Sequence, residues 1–310
     1  MRFEGLDLNL LVALEVLLEC RSTTETARRL NLSQPTISAA LRRLREYFDD
    51  ELLVNVGRDM VPTPKAEELS PAVTELLNVA RFEIVQADDF EPSTSRRRFR
   101  LLSSDYFFDV LLAGALARVA SLAPHVSFEV GPTGPESTRS FQKGDIDLMI
   151  TVPKYLMPDH PTEPLFSDQD AVICWKHGKF ARGIDEQNFL QADFATAVFG
   201  EERRPTIAET HFKEHGINLR TAIQVPSFSA LPGAICGTDR LAIMHLGHAR
   251  HFERHQPIAV HPLPIDGPGV SEIAQWHRLR RNDGGIQWLL GLLREQAEAL
   301  TERQDYKLLS

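Results

Sequence analysis

Residues 22–48 read STTETARRLNLSQPTISAALRRLREYF, and the fold of the amino-terminal region turns on them. Ser22 and Glu25 stand three apart with the Ser/Thr-x-x-Glu spacing of a capping box, so a helix starts near Ser22. It ends near Leu30, and Asn31-Leu32 makes a short turn. Ser33 caps the next helix, with Pro35 in its first turn, where the missing N–H costs little. Ile37, Leu41, Leu44 and Phe48 follow at i, i+4, i+7 and i+11, one apolar stripe along that helix. Two helices joined by so short a turn make a helix-turn-helix. The second, residues 33–47, is about 22 Å long at 1.5 Å per residue, a length suited to the major groove of DNA.

Beside the apolar stripe runs a polar one: Gln34, Ser38, Arg42 and Arg45. The start of a recognition helix is the end that reaches base edges. Gln34 suits a bidentate contact to adenine, and the Thr36 methyl suits thymine. Ser33, Ser38, Arg42 and Arg43, with Pro35 among them at the helix start, are expected along the phosphates, which position a protein without reading sequence. From residue 27 to 45 there are five arginines and no acid, although the whole chain carries a formal charge of −9. The plain alternative is a three-helix packing unit with a solvated basic face. The acid-free cluster, the spacing and the segment that follows favour DNA.

Upstream, Leu6, Leu10, Leu14 and Leu18 recur every four residues and predict the first helix. Downstream, residues 52–64, LLVNVGRDMVPTP, alternate about a Gly-Arg-Asp turn and predict a small hairpin or wing. Arg58 at its tip is a candidate phosphate or minor-groove contact. Residues 1–62 thus form a DNA-binding domain. Thr63-Pro64 opens a helix to about residue 85, and residues 63–87 are expected to form a linker and dimerisation helix. The polar stretch 86–98, with Pro92, reads as a linker, its hinge at 88–96.

From residue 97 to 310 strands and helices alternate. Strands are expected at 99–102, 127–130, 147–150, 171–175, 221–225, 241–245, 258–261 and 272–277, and helices near 107–123, 136–143, 206–215, 229–236 and 283–299. The alternation predicts a largely parallel sheet under helices. The chain as a whole is an α/β multidomain protein. Its 310 residues, 43% hydrophobic and 25% charged, allow two domains with ordinary cores. Three scattered cysteines, with no CxxC, argue against a disulfide framework and suit a reducing, cytoplasmic setting. No signal peptide or spanning helix is expected. GxSxG, GxGxxG, Walker and HExxH motifs are all missing, so neither an enzyme nor a cofactor is expected. His248, His251 and His255 have spacing for a metal site, but Arg250 and Arg254 between them favour a solvated basic helix.

The chain resembles the LysR-type transcriptional regulators, closest to their NodD-like subgroup. The resemblance lies in MRFEGLDLNLLVALEVLLE (1–19), TARRLNLSQPTISAALRRLREYFDDELLV (26–54) and GRDMVPTPKAEEL (57–69). It continues through RRFRLLSSD (97–105), GDIDLMI (144–150), HFKEHG (211–216), VPSFSALPGAICGTDRLAIMHLGHARHFE (225–253) and EIAQWH (272–277). It implies a winged helix-turn-helix, a linker helix pairing two subunits, and a carboxy-terminal domain like periplasmic binding proteins. That domain would have two α/β subdomains, 97–167 with 276–310 and 168–275, around an effector cleft. It further implies homodimers and homotetramers on double-stranded promoter DNA, activation of transcription with RNA polymerase as a candidate partner, and, for that subgroup, response to plant flavonoids.

In open α/β sheets ligands lie beyond the carboxyl ends of strands. That rule selects Ser103, Ser104, Asp105 and Tyr106 after the first strand, Thr151, Ser227 and Phe228, Phe199 after a strand at 195–198, and His245. Tyr106, Phe199 and Phe228 offer stacking surface, with the hydroxyls and His245 giving orientation, which points to a flat aromatic or phenolic effector. Phe199 and Phe228 fit core or cleft equally, and Ser103, Thr151 and Ser227 suit helix caps equally well.

Overall fold

The computed structural model describes residues 2–3, 6–57, 59–81, 90–200, 202–301 and 307–308. The chain divides into two compact units, Met1–Ala87 and Asp88–Ser310.

The first unit begins with two short antiparallel strands, β1 (Arg2–Phe3) and β2 (Leu6–Asp7). Helices α1 (Asn9–Cys20), α2 (Thr23–Arg29) and α3 (Gln34–Phe48) follow. Both expected caps form: Ser22 accepts from the Glu25 N–H and Ser33 from the Thr36 N–H, each at 3.3 Å. Leu10, Leu14 and Leu17 of α1 meet Ile37, Leu41 and Leu44 of α3 in one buried cluster. Leu6 stands before α1, in β2. Strands β3 (Leu53–Val56) and β4 (Asp59–Pro62) pair antiparallel as the wing. Gly57 has φ +66°, a left-handed turn residue that glycine adopts without strain. Thr63 then caps α4 (Pro64–Val79). Its Val73 and Leu77 join the core, whereas Leu76 stays 44% exposed. Arg81 reaches back to the buried Glu15 of α1 at 2.6 Å.

The second unit starts with β5 (Arg98–Leu102), α5 (Asp105–Phe107), a π-helical turn (Phe108–Leu112) and α6 (Ala113–Leu122). Then come β6 (Ser127–Gly131), α7 (Pro135–Gln142), β7 (Leu148–Thr151) and β8 (Thr162–Asp168). After Gln169 the chain enters β9 (Asp170–Trp175), followed by α8 (Glu186–Gln191), β10 (Asp193–Phe199), β11 (Arg204–Pro205) and α9 (Ile207–Glu214). It continues through β12 (Arg220–Val225), α10 (Leu231–Ile235), β13 (Leu241–His245), α11 (Leu246–Glu253) and β14 (Ile258–Pro262). Strand β15 (Val270–Gln275), helix α12 (Gly284–Thr301) and strand β16 (Lys307–Leu308) complete the described chain.

Among the described residues these strands form two sheets, one ordered β16-β8-β15-β7-β5-β6 and one ordered β11-β10-β13-β9-β14 with β12 on β10. The expected largely parallel sheet is corrected here, because both sheets are mixed. The pairs β5–β6, β5–β7, β10–β12 and β10–β13 are parallel, as βαβ crossovers require. The strands that carry the chain between sheets, β8 into β9 and β14 into β15, run antiparallel to their neighbours. The return crossing falls between Pro262 and Val270, because β15 pairs with β7 and β8. The second subdomain therefore ends earlier than the expected residue 275. Gly269 (φ +60°) holds that crossing against β8: a Cβ there would stand 2.8 Å from the Asp168 carbonyl oxygen.

One large apolar cluster spans both sheets, from Phe99, Leu111 and Leu148 to Ile173, Ala242 and Met244. Behind it Asp147 accepts from Arg97 Nη2 (2.6 Å), the Arg100 N–H (2.7 Å) and Arg280 Nη1.

Candidate DNA-reading face and effector cavity

Ser33, Gln34, Pro35, Thr36, Ser38, Arg42 and Arg43 are all exposed. They share the start and the outer side of α3, whose other side is buried through Ile37, Ala40, Leu41 and Leu44. The Ser33 hydroxyl is also 2.7 Å from that of Thr36, and Gln34 makes only a long contact to Thr23 at 3.4 Å. Arg43 reaches Asp7 at 3.4 Å, a weak surface pair. Arg42 makes no ion pair among the described residues. Arg45, part of the expected polar stripe, turns away from that face. It donates to the Glu51 and Leu53 carbonyls at 2.8 and 2.7 Å and ties α3 to the wing. Arg28 pairs with Glu25 and Arg29 with Glu19. The net positive face is therefore narrower than five arginines suggest. Arg58 lies outside the described residues.

In the second unit a cavity of about 200 Å³ opens between the two sheets. From the first sheet side it receives Ser104, Tyr106, Thr151 and Glu272, and from the second Phe199, Phe228 and His245. The strand ends bring these together as the topology requires: Thr151 closes β7, Phe199 closes β10 and His245 closes β13. Ring centroids of Tyr106 and His245 lie 4.5 Å apart, those of Phe199 and Phe228 5.1 Å, and those of Phe228 and His245 5.2 Å. Phe228 serves core and cavity at once, at 9% exposure.

Three expected residues do not line it, and each correction has a physical reason. Ser103 is buried and donates to the Ser104 carbonyl at 2.9 Å; Ser104, not Ser103, caps α5. Asp105 accepts from both the backbone N–H and the hydroxyl of Ser229, at 2.7 and 2.6 Å, and so bolts one subdomain to the other. Ser227 precedes a short 3-10 turn without capping it and lies off the cavity lining.

Strand-end reasoning also missed lining residues. Thr133, Arg204 and Thr206 sit at loops and a two-residue strand. Arg204 donates to the Thr133 carbonyl at 3.4 Å and stands 5.6 Å over the Tyr155 ring, while its Nε is buried with no partner among the described residues. Glu272 had a legible signal: in VSEIAQ it alternates with Val270 and Ala274 on the buried side of a strand.

Charge around the cavity is concentrated at the crossing strands. Asp168 accepts from the Tyr106 hydroxyl (2.9 Å) and the Gly247 N–H (3.0 Å); burial nevertheless raises its pKa above the usual carboxylate range. Burial opposes a charged His245, but Asp170, 3.2 Å from Nδ1, with Asp168 and Glu272, outweighs it and raises the imidazole pKa. Burial pushes Glu272 up to about 7, with His245 acting against the rise. His248, expected on a solvated helix, is instead fully buried beside Asp109 (2.9 Å), and burial lowers its pKa.

Comparison with known proteins agrees with this architecture. Residues 8–67 match the family model described as bacterial regulatory helix-turn-helix protein, lysR family, and residues 92–298 match that of the LysR substrate binding domain. Among curated relatives, nodulation protein D 1 of Rhizobium meliloti is 37% identical over 98% of this chain and 99% of its own length. Nodulation protein D 2 of Rhizobium tropici is 38% identical over 97% and 96%. Among solved structures, a probable transcriptional regulator of Pseudomonas aeruginosa is 26% identical, with TM-score 0.63 over 94% of this chain and 97% of that one.

Proposed function

The chain belongs to the LysR family of bacterial regulatory helix-turn-helix proteins, and from that premise we propose that it is an activator whose α3 reads promoter DNA and whose cavity takes a flat aromatic or phenolic effector. The protein is a DNA-binding transcription regulator with an effector domain, not an enzyme. In the proposed division of labour Gln34 and Thr36 reach base edges, while Ser33, Ser38, Arg42 and Arg43 hold phosphates. The exposed Leu76 on α4 suits pairing of two subunits, and pairs of dimers would contact RNA polymerase in the cytoplasm.

One observation carries the effector reading: Tyr106, Phe199 and Phe228 converge on one cavity between the two sheets. A ligand gripped from both sides favours one relative placement of the subdomains, and that preference is the free energy available to alter DNA engagement, typically about 1–3 kcal/mol. The test is a thermal-shift screen of the full chain with benzoates, simple phenols, flavonoids and aliphatic acids. Ligand at a hundred times its Kd adds about 2.7 kcal/mol of stability. Aromatic compounds should raise Tm, and Phe228→Ala should abolish the rise. A response to aliphatic acids alone would refute the aromatic reading.

A further inference from the structure

We propose that Asp105, Asp109, Ser229 and His248 form a latch across the seam between the two subdomains, and that acid releases it, so that the placement of the subdomains answers to protons as well as to a cavity ligand. The proposal does not depend on what that ligand is.

Each subdomain supplies half of the latch. Asp105 of α5 and Asp109 of the π-helical turn belong to the first; Ser229 of the 3-10 turn Phe228–Ala230 and His248 of α11 belong to the second. Asp105 takes the N–H and the hydroxyl of Ser229. That hydroxyl also lies 3.3 Å from Asp109 Oδ2, and the same oxygen accepts from His248 Nε2 at 2.9 Å. π-Helical turns are rare and collect at functional sites. In this one Leu111 and Leu112 are fully buried while Asp109 reaches the seam. Latch and cavity also share short segments: Asp105 precedes Tyr106, Ser229 follows Phe228, and His248 lies three residues beyond His245. A shift of those cavity walls therefore pulls directly on the latch.

His248 makes the latch sensitive to acid. Its side chain is fully buried, and its Nδ1 meets no partner among the described residues. With a carboxylate at Nε2, the neutral ring carries its proton there and leaves Nδ1 bare. A second proton would add an N–H at Nδ1 facing neither an acceptor nor water, a costly buried donor. Burial accordingly lowers the pKa of the ring, against Asp109 and against Asp105 of α5, with His245 of β13 on the side of burial. The other groups facing the ring leave that sign unchanged. Tyr106, 5.6 Å away between centroids, gives its hydroxyl to Asp168, and His251 and Phe252 of α11 stand 6.3 and 4.9 Å away. A released His248, open to water, returns toward the ordinary value of 6.5. As pH falls through that value, the released arrangement takes up a proton that the latched one refuses, and the balance moves toward release.

The experiment is hydrogen exchange of the full chain, without ligand, at about pH 8 and about pH 6, with rates corrected for the intrinsic pH dependence of amide exchange. The reporter is the Ser229 amide, whose N–H is held by Asp105 and is freed when the latch opens. In wild type its protection should be about three- to fourfold lower at the acid pH, the ratio that a pKa of 6.5 in the released state sets. His248→Gln, whose side-chain amide can donate to Asp109 at either pH but cannot titrate, should give equal protection at both, near the wild-type value at the higher pH. Ser229→Ala should lower protection at that residue about fivefold at the higher pH, with β5 and β7 exchanging as in wild type, which would show the fold intact. Wild-type protection that does not change with pH, a result needing no variant, would overturn acid release. So would the wild-type change retained in His248→Gln. Wild-type protection in Ser229→Ala would overturn the latch itself.

Discussion

Tyr106 and Asp168 meet at 2.9 Å, hydroxyl to carboxylate, where the chain is about to leave one sheet for the other. The same carboxylate oxygen accepts from Gly247 at the start of α11, so a single buried group holds pieces of both subdomains beside the cavity. Tyr106→Phe removes one donor from a carboxylate that burial already disfavours. The expected loss is about 1–3 kcal/mol of stability, read as a lower urea midpoint, with the ring wall of the cavity kept.

Asp147 should be the costlier site. It is 4% exposed and shared by Arg97, Arg280 and the Arg100 backbone. Asp147→Ala takes their shared buried acceptor from Arg280 and from Arg97, which keeps Asp283, and the expected cost is about 3–5 kcal/mol. Urea denaturation of the purified variant checks it, and a loss below about 1 kcal/mol would show that the network relaxes around the gap.

Local signals made the first unit legible in the sequence. Caps at Ser22, Ser33 and Thr63 and the stripe on α3 are decided within a few residues of themselves. What could not be read was long-range. Strand β8 is absent from the sequence expectations, and Pro164 interrupts the pattern of TEPLFSD. The fold accommodates it at a register shift, where Phe166 faces Glu272 and Pro164 faces Ile273, so the missing N–H falls at a bulge. The strand-end rule located the cavity but not which way each side chain turns. Asp105 is drawn away by Ser229, more than a hundred residues distant, and Arg204 enters from a strand too short to carry periodicity.

Stability should fall as pH rises from about 5 to 8. Glu272 is raised from 4.5 to about 7, so between those values the folded chain keeps a proton that the unfolded chain releases. Its contribution is present at low pH and lost as pH climbs, by about 3 kcal/mol at most. His245 acts in the same direction: with its pKa raised in the fold, its contribution is full below 6.5 and is lost as pH passes the raised value, whereas His248, whose pKa burial lowers, acts against both. Denaturation midpoints across this range should decline in wild type and decline less steeply in Glu272→Gln. Equal slopes would remove Glu272 from the account.

Arg42 and Arg45 stand one turn apart and should fail in different ways. Arg45→Ala cuts the tie from α3 to the Glu51 and Leu53 carbonyls and should lower the stability of the first unit by about 1–3 kcal/mol. Arg42→Ala should leave Tm unchanged, weaken binding to every duplex, and reduce the salt slope by about one unit. Anisotropy titrations at several salt concentrations separate the two.

Recognition of DNA by α3 is tested most directly by fluorescence anisotropy of the full chain, at moderate ionic strength, with a duplex from its own upstream region and a shuffled duplex of equal composition. The account predicts at least a thousandfold preference for the native sequence, sharply reduced in Gln34→Ala. Equal affinity for the two duplexes, with and without aromatic compounds, would contradict it.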